Sequence, residues 1–176
     1  MIFSQTPIPG LTLLRTDAHR DPRGAFARWY CRDEFAAHDI DFSPSQISIS
    51  SNTTRHTLRG LHWQEEPHAE AKLVRVTSGR IFDVAVDLRS GSPTRLRWFG
   101  VELAANDGKA LFIPAGFAHG MLTLTDNADL LYMIDTPYAP DSARGARWDD
   151  PAIGIAWPTT PEIIGDRDLA WPLLSK

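Results

Sequence analysis

Two stretches of the chain concentrate the side chains that could do chemistry. The first runs from Arg55 to Lys72 and holds Arg59, Gly60, Leu61, His62, Trp63, Gln64, His68 and Lys72. The second, Pro114-Ala115-Gly116-Phe117-Ala118-His119-Gly120, is a turn that delivers a histidine to the head of an apolar strand. An imidazole titrates near neutrality and an ammonium stays cationic there, so this set can accept a proton, return one or stabilise a negative charge. Several other chemistries are excluded by spacing. No two glycines are separated by a single residue, so there is no G-x-G dinucleotide loop, and no Walker loop, H-E-x-x-H pair or G-x-S-x-G elbow occurs.

The elements that must position these residues read as short strands. The 12 glycines and 13 prolines are scattered as punctuation between runs that alternate polar and apolar residues. In Gln46 to Ser51, Ile47 and Ile49 face one way while Gln46, Ser48 and Ser50 face the other. In Ile81 to Leu88, Phe82, Val84, Val86 and Leu88 form one face, with Asp83, Ala85 and Asp87 opposite. Similar runs occur at Leu11 to Thr16, Lys72 to Thr77, Trp98 to Leu103, Ala110 to Ile113, Gly120 to Thr125 and Leu130 to Asp135. The spacing predicts an all-β sandwich or barrel. One helix is expected from Arg32 to His38, and the Pro- and Trp-rich tail from Asp149 to Lys176 is expected to lie irregularly over the barrel with a short helical turn.

A length of 176 residues fits one domain, 1–176, and 43% hydrophobic with 23% charged residues is ordinary for a globular core. The single cysteine, Cys31, can form neither an internal disulfide nor a thiolate zinc cluster. A net charge of −4 without a run of basic residues argues against a nucleic-acid partner or an anionic membrane surface. No apolar stretch has the length of a membrane span or a signal peptide, so a soluble cytoplasmic protein is expected.

The two paired segments, a strand with histidine followed by P-x-G-x-x-H, resemble the cupin double-stranded barrel, or jelly roll. Cupins often hold a metal through H-x-H, a glutamate and a further histidine. Here His62 is followed by Gln64, and the carboxylate place falls among neutral or basic residues around Lys72, so no metal is expected. Longer strings make the resemblance specific: Leu58-Arg-Gly-Leu-His-Trp-Gln64, Lys72-Leu-Val-Arg-Val76, Phe82-Asp-Val-Ala-Val-Asp87, Gly91-Ser-Pro93, Ile113-Pro-Ala-Gly-Phe-Ala-His-Gly120, Tyr138-Ala-Pro140 and Trp148-Asp-Asp-Pro151. From Asp21-Pro-Arg-Gly24 to Asp166-Arg-Asp168 the chain resembles the dTDP-4-dehydrorhamnose 3,5-epimerase family.

That resemblance implies a cofactor-independent, metal-free and normally dimeric enzyme that inverts C3 and C5, or C3 only, of a nucleoside-diphosphate 4-keto-6-deoxyhexose. It implies His62 as the base, oriented by Asp168; Lys72 as the group that stabilises the enolate; and Tyr132 as the acid on the opposite face. Arg23, Arg59 and His119 are expected at the diphosphate, Phe26 and Tyr138 as aromatic surface for base and sugar, and Gln46 and Ser48 as hydrogen-bonding groups. Arg23 and Phe26 are expected to come from the neighbouring subunit. Two residues depart from the family pattern: Arg28 stands where an acid is usual, near the nucleoside, and His56 where a glycine is common. The alternative is a non-catalytic sugar-binding cupin.

One local conflict is visible. Arg59 and His62 are three residues apart, which on a regular strand sends them to opposite faces. If both line one pocket the strand must bulge, and Gly60 is the residue that permits it.

Overall fold

A computed structural model of the chain describes residues 1–174, so the last two residues of the expected domain lie outside the described residues. In chain order the elements are β1 (Ile2–Gln5), β2 (Thr12–Arg15), β3 (Ala18–Asp21), β4 (Gly24–Ala27), α1 (Arg32–Ala36), β5 (Gln46–Asn52), β6 (Thr57–Gln64), β7 (Lys72–Ser78) and β8 (Arg80–Asp87). They continue with β9 (Trp98–Ala104), β10 (Lys109–Ile113), β11 (Phe117–Thr123), β12 (Ala128–Ile134), β13 (Ala143–Gly145), β14 (Ile163–Ile164) and α2 (Asp166–Leu169).

Two sheets form the jelly roll, one in the order β1-β2-β10-β7-β12-β5 and the other in the order β13-β6-β11-β8-β9, with β14 beside β6; they are not joined into one closed barrel. β3 and β4 form a separate hairpin. Alternation decides what lies between the sheets. Val74, Val76, Leu111, Ile113 and Leu130 from the first meet Ile81, Ala85, Leu103, Phe117 and Met121 from the second. Residues of opposite parity face outward and are covered too. α1 and its following loop lay Phe35 and Phe42 over Leu14, Leu73 and Phe112, while the C-terminal segment lays Ile153 and Trp157 over Val84 and Val86. Each such side chain, fully buried, contributes about 1.5–3 kcal/mol.

Helix α1 ends at Ala36, earlier than the expected His38, because the chain then turns back through Asp39 at φ 59°. The short turn expected in the tail is α2. Asp83, Ala85 and Asp87, opposite the apolar face of β8, are directed inward, since Phe82, Val84 and Val86 are claimed by the outer layer. Both faces of this strand are therefore buried, and the charged one lines the interior.

The conflict on β6 is resolved by a bulge. His62 pairs with His119 and Arg59 with Met121, so three steps on β6 oppose two on β11. Gly60 lies inside it at φ 125°, next to a cis Gly60–Leu61 peptide. A Cβ at Gly60 would stand 2.6 Å from Gly120 Cα and 2.9 Å from the His119 carbonyl oxygen, both backbone atoms that cannot swing aside.

This contrast with Gly24 gives a test. Gly24 has a similar φ of 133° and nothing within 4 Å of its Cβ direction. Both alanine substitutions should incur about 1–3 kcal/mol of backbone strain, and Gly60→Ala should add a further 1–3 kcal/mol, roughly, for the clash. Thermal melts should place Gly60→Ala well below Gly24→Ala, and equal melting temperatures would refute the close backbone approach.

Candidate active site

His62 sits near the end of β6 with 41% of its side chain exposed, and its Nε2 lies 2.5 Å from Asp168 Oδ1. A carboxylate only accepts, so Nε2 carries the hydrogen and Nδ1 is left for a ligand. The Asp168 Oδ2 accepts the Gly60 N–H at 3.0 Å, which ties the bulge to the same carboxylate. Asp168 reaches β6 because β14 runs parallel to its first residues, Ile163 opposite Thr57 and Ile164 opposite Leu58, and so sets α2 over the strand. Burial alone would raise the Asp168 carboxyl, but His62 and the Gly60 amide outweigh it and hold it below the ordinary carboxylate range. His56, at φ 59°, pairs with Glu162 at 2.7 Å just before β14. Its left-handed backbone explains why a glycine suits that position.

The His62–Asp168 pair opens on a cleft of about 360 Å³, whose lining includes Arg59, Trp63, Tyr138, Arg144 and Arg167. Arg59 crosses to the other sheet, donating from Nε to Asn52 Oδ1 at 2.7 Å. Lys72 opens β7 on the inner face, with Nζ 2.9 Å from Glu70 and 3.5 Å from the His62 carbonyl oxygen. Tyr132, on β12 opposite Val74 and Ser48, packs against the inner core. Burial first, and then the charge of Asp83, push its phenol well above the usual range, with Arg59 opposing, so it keeps its proton at neutral pH. Gln46 donates to the Thr136 carbonyl oxygen at 3.1 Å. Ser48 is exposed.

Of the sequence-derived residues, His62, Asp168, Arg59 and Tyr138 line this cleft, whereas Lys72, Tyr132, Gln46, Ser48, His119, Arg23, Phe26 and Arg28 do not. Arg23 and Phe26 are exposed on the β3–β4 hairpin, with the Arg23 guanidinium forked onto Asp21 at 2.6 Å. Arg28 pairs with Glu34 at 2.8 Å. His119 lies directly across from His62, at the end where it was expected, and is buried with its Nε2 committed to Asp83 at 2.8 Å, its ring edge-on to Tyr132. Sequence reasoning missed Glu70, Asp83, Arg144 and Arg167. Two signals were present: Arg167 adjoins Asp168, and Asp83 stands on the polar face of its strand.

Among the described residues no group of three or more histidine, cysteine, aspartate or glutamate side chains is arranged to hold a metal ion. Among them, too, no helix is long and apolar enough to cross a membrane.

Comparison with known proteins gives a consistent result. The family model for dTDP-4-dehydrorhamnose 3,5-epimerase matches residues 5–176. A dTDP-4-dehydrorhamnose 3,5-epimerase from Sinorhizobium fredii is 41% identical over 175 residues, 99% of this chain and 90% of the relative. The crystal structure of the enzyme of that name from Bacillus anthracis, with TDP and PPi bound, superposes with a TM-score of 0.95 at 36% identity, covering 98% of this chain and 99% of that one. A dTDP-6-deoxy-D-glucose-3,5-epimerase from Legionella pneumophila, in complex with dTDP-4-keto-L-rhamnose, superposes with a TM-score of 0.92 at 33% identity, covering 98% and 92%.

The depressed Asp168 carboxyl makes a signed statement about stability. A group lowered by folding stabilises the native state above its unfolded value, near 3.8, and loses that contribution as pH falls through its lower folded value. Asp168→Asn should therefore lower the melting temperature at neutral pH, and the gap to wild type should close below pH 3.8. A gap that persists unchanged into acid would show that the carboxylate charge contributes nothing.

Proposed function

This chain belongs to the dTDP-4-dehydrorhamnose 3,5-epimerase family, and from that premise we propose how its residues invert the carbons flanking the ketone of a nucleoside-diphosphate 4-keto-6-deoxyhexose. The substrate is dTDP-4-dehydro-6-deoxy-D-glucose and the product dTDP-4-dehydro-L-rhamnose. The observation that carries the reading is the His62–Asp168 pair at 2.5 Å, open to the cleft on one side and fixed to the Gly60 amide on the other.

A hydrogen next to a ketone is acidic only if the developing enolate is stabilised. His62 takes that hydrogen as a proton, and Asp168 stabilises the imidazolium that forms. Lys72 supplies positive charge to the ketone oxygen as it becomes an enolate. Glu70, 2.9 Å away, fixes the ammonium and partly offsets its charge. Inversion requires the new proton to arrive from the other face. Tyr132 donates it, because its phenol is protonated at working pH and stands on the sheet opposite β6. Every step is a proton transfer, so no redox group or metal is required.

The diphosphate is met by cations at the rim. Arg59, Arg144 and Arg167 line the cleft, and Tyr138 offers an exposed ring. The β3–β4 hairpin completes the site from a second copy of the chain in a homodimer, placing Arg23 and Phe26 over the partner cleft. Two features support this assembly. Phe26 is 78% exposed on the hairpin, and Ile47 and Ile49 on the edge strand β5 are 63% and 57% exposed. Apolar side chains presented this openly mark an interface.

Incubation with the 4-keto sugar nucleotide in deuterated water tests the chemistry. Deuterium at C3 and C5 is expected; at C3 alone it would narrow the reaction to one inversion, and no incorporation would indicate a binding protein. His62→Asn should reduce incorporation at least ~100-fold while leaving dTDP affinity within about threefold, since the imidazole acts on sugar rather than diphosphate. Tyr132→Phe should slow epimer formation more than incorporation, because the base can return a deuteron to the face it took it from. For the assembly, Ile47→Glu with Ile49→Glu should give monomers by sedimentation with activity largely lost; an active monomer would remove the hairpin from the site.

A further inference from the structure

Two histidine–aspartate pairs stand side by side in this molecule. His62 and His119 are direct partners across β6 and β11, and each ring is bound through Nε2, to Asp168 at 2.5 Å and to Asp83 at 2.8 Å. The first pair faces the cleft. The second is closed off, with His119 4% exposed and Asp83 not exposed at all, and the proton transfers above leave Asp83 without a task.

Asp83 is costly where it is. It points between the sheets along with Ile81 and Ala85 of the same strand, which belong to the inner core. A carboxylate there loses its hydration, and an apolar side chain would fill the space more simply. Its Oδ1 has His119, but its Oδ2 is enclosed with no hydrogen-bond partner among the described residues. The carboxylate is thus held by His119 alone, and its hydrogen bonding acts on that ring alone. Because it only accepts, Nε2 must carry the hydrogen, and the ring cannot flip without stranding the buried charge. The ring so fixed stands nearly perpendicular to Tyr132, with centroids 5.6 Å apart at 80°.

We infer that Asp83 is a positioning residue for the acid half of the reaction: it clamps His119, and His119 holds the Tyr132 phenol turned toward the sugar. The inference rests on Tyr132 as proton donor, as proposed above. A donor must meet one carbon from one face, and small displacements of a donor are expensive in rate. The charge of Asp83 acts in the same direction as the clamp, since it helps keep the proton on the phenol between inversions.

A double-mutant cycle with two readouts, epimer formation and deuterium incorporation, tests this on the intact protein. Asp83→Asn is nearly the same shape, but its amide can present a donor or an acceptor, so it no longer dictates the ring's state. It should slow epimer formation roughly 10- to 100-fold while changing incorporation less than about threefold, because His62 and Asp168 are untouched. In a Tyr132→Phe background the same substitution should add less than about twofold. His119→Gln serves as a second variant should Asp83→Asn fold poorly, with the same partition and the same lack of additivity expected. Additive losses, or parallel slowing of both readouts, would make Asp83 a group of the core and overturn the inference. If Tyr132→Phe alone slows both readouts equally, the donor assignment fails and this inference falls with it. If Tyr132→Phe separates the two and neither Asp83→Asn nor His119→Gln does, only the present inference fails.

Discussion

The Asp168 carboxylate is the contact on which the geometry of this site depends. One oxygen holds His62 and the other holds the Gly60 amide inside the β6 bulge, so a single charged group fixes both the base and the irregular backbone that aims it. It is delivered from more than 100 residues downstream, with |i−j| of 106 to His62 and 108 to Gly60. That delivery depends on local contacts: the Glu162–His56 pair, the parallel pairing of β14 with β6, and the Trp171 ring against Gly145 and 6.4 Å from the His62 ring. Without the C-terminal segment the imidazole would lose its orienter and the bulge its capped amide, although the sheets would still have their inner core.

A second constraint is the economy of a two-sheet core. Each strand offers two faces, and here both are used on β7, β8 and β11. An outer layer of α1 and the C-terminal tail takes one apolar set, which frees the inner face at one end of the sandwich for charged groups. Lys72 and Glu70, His119 and Asp83, and His62 and Asp168 are all partnered there. A buried charge without a counterpart would be destabilising by several kcal/mol, roughly, so pairing is the condition for placing these groups in the interior.

The strands were largely legible because alternation is local. β5, β7, β8, β9, β10 and β12 fall within a few residues of their expected limits, and the bulge followed from the three-residue interval between Arg59 and His62. Which face of β8 would turn inward was not legible. A row of Phe82, Val84 and Val86 suggests an inner face, and only the presence of Ile153 and Trp157 from far along the chain reverses it. Asp83 was hidden as a partner for His119 because the two stand on neighbouring strands, β8 and β11, whose pairing is not written locally; Glu70, only two residues from Lys72, was in reach of a local reading and was passed over. Individual residues carry no record of which strand will lie beside them or which face an outer layer will cover. β3 and β4 were missed for another reason: their residues are mostly exposed and show no apolar alternation.

The two halves of the site answer to different physical demands. Proton transfer needs groups fixed to within fractions of an ångström, and those groups lie on strands, with partners. Diphosphate recognition needs positive charge but tolerates motion, and in the proposed reading it falls to exposed arginines at the rim and on the hairpin, where a solvated guanidinium can adjust to the phosphates. The same reading puts nucleoside contact on the least constrained part of the fold, beside the hairpin. Arg28 is held there by Glu34, whose carboxyl is kept below its ordinary range by the N-terminal ammonium first and Arg28 second. A base seeking the Arg28 guanidinium must therefore compete with an ion pair already made, whereas the sugar enters a cavity whose pairs are made before it arrives. In that reading, selection among bases can change by substitutions on and just beyond the hairpin while the chemistry of inversion, carried by groups fixed in the interior, stays as it is.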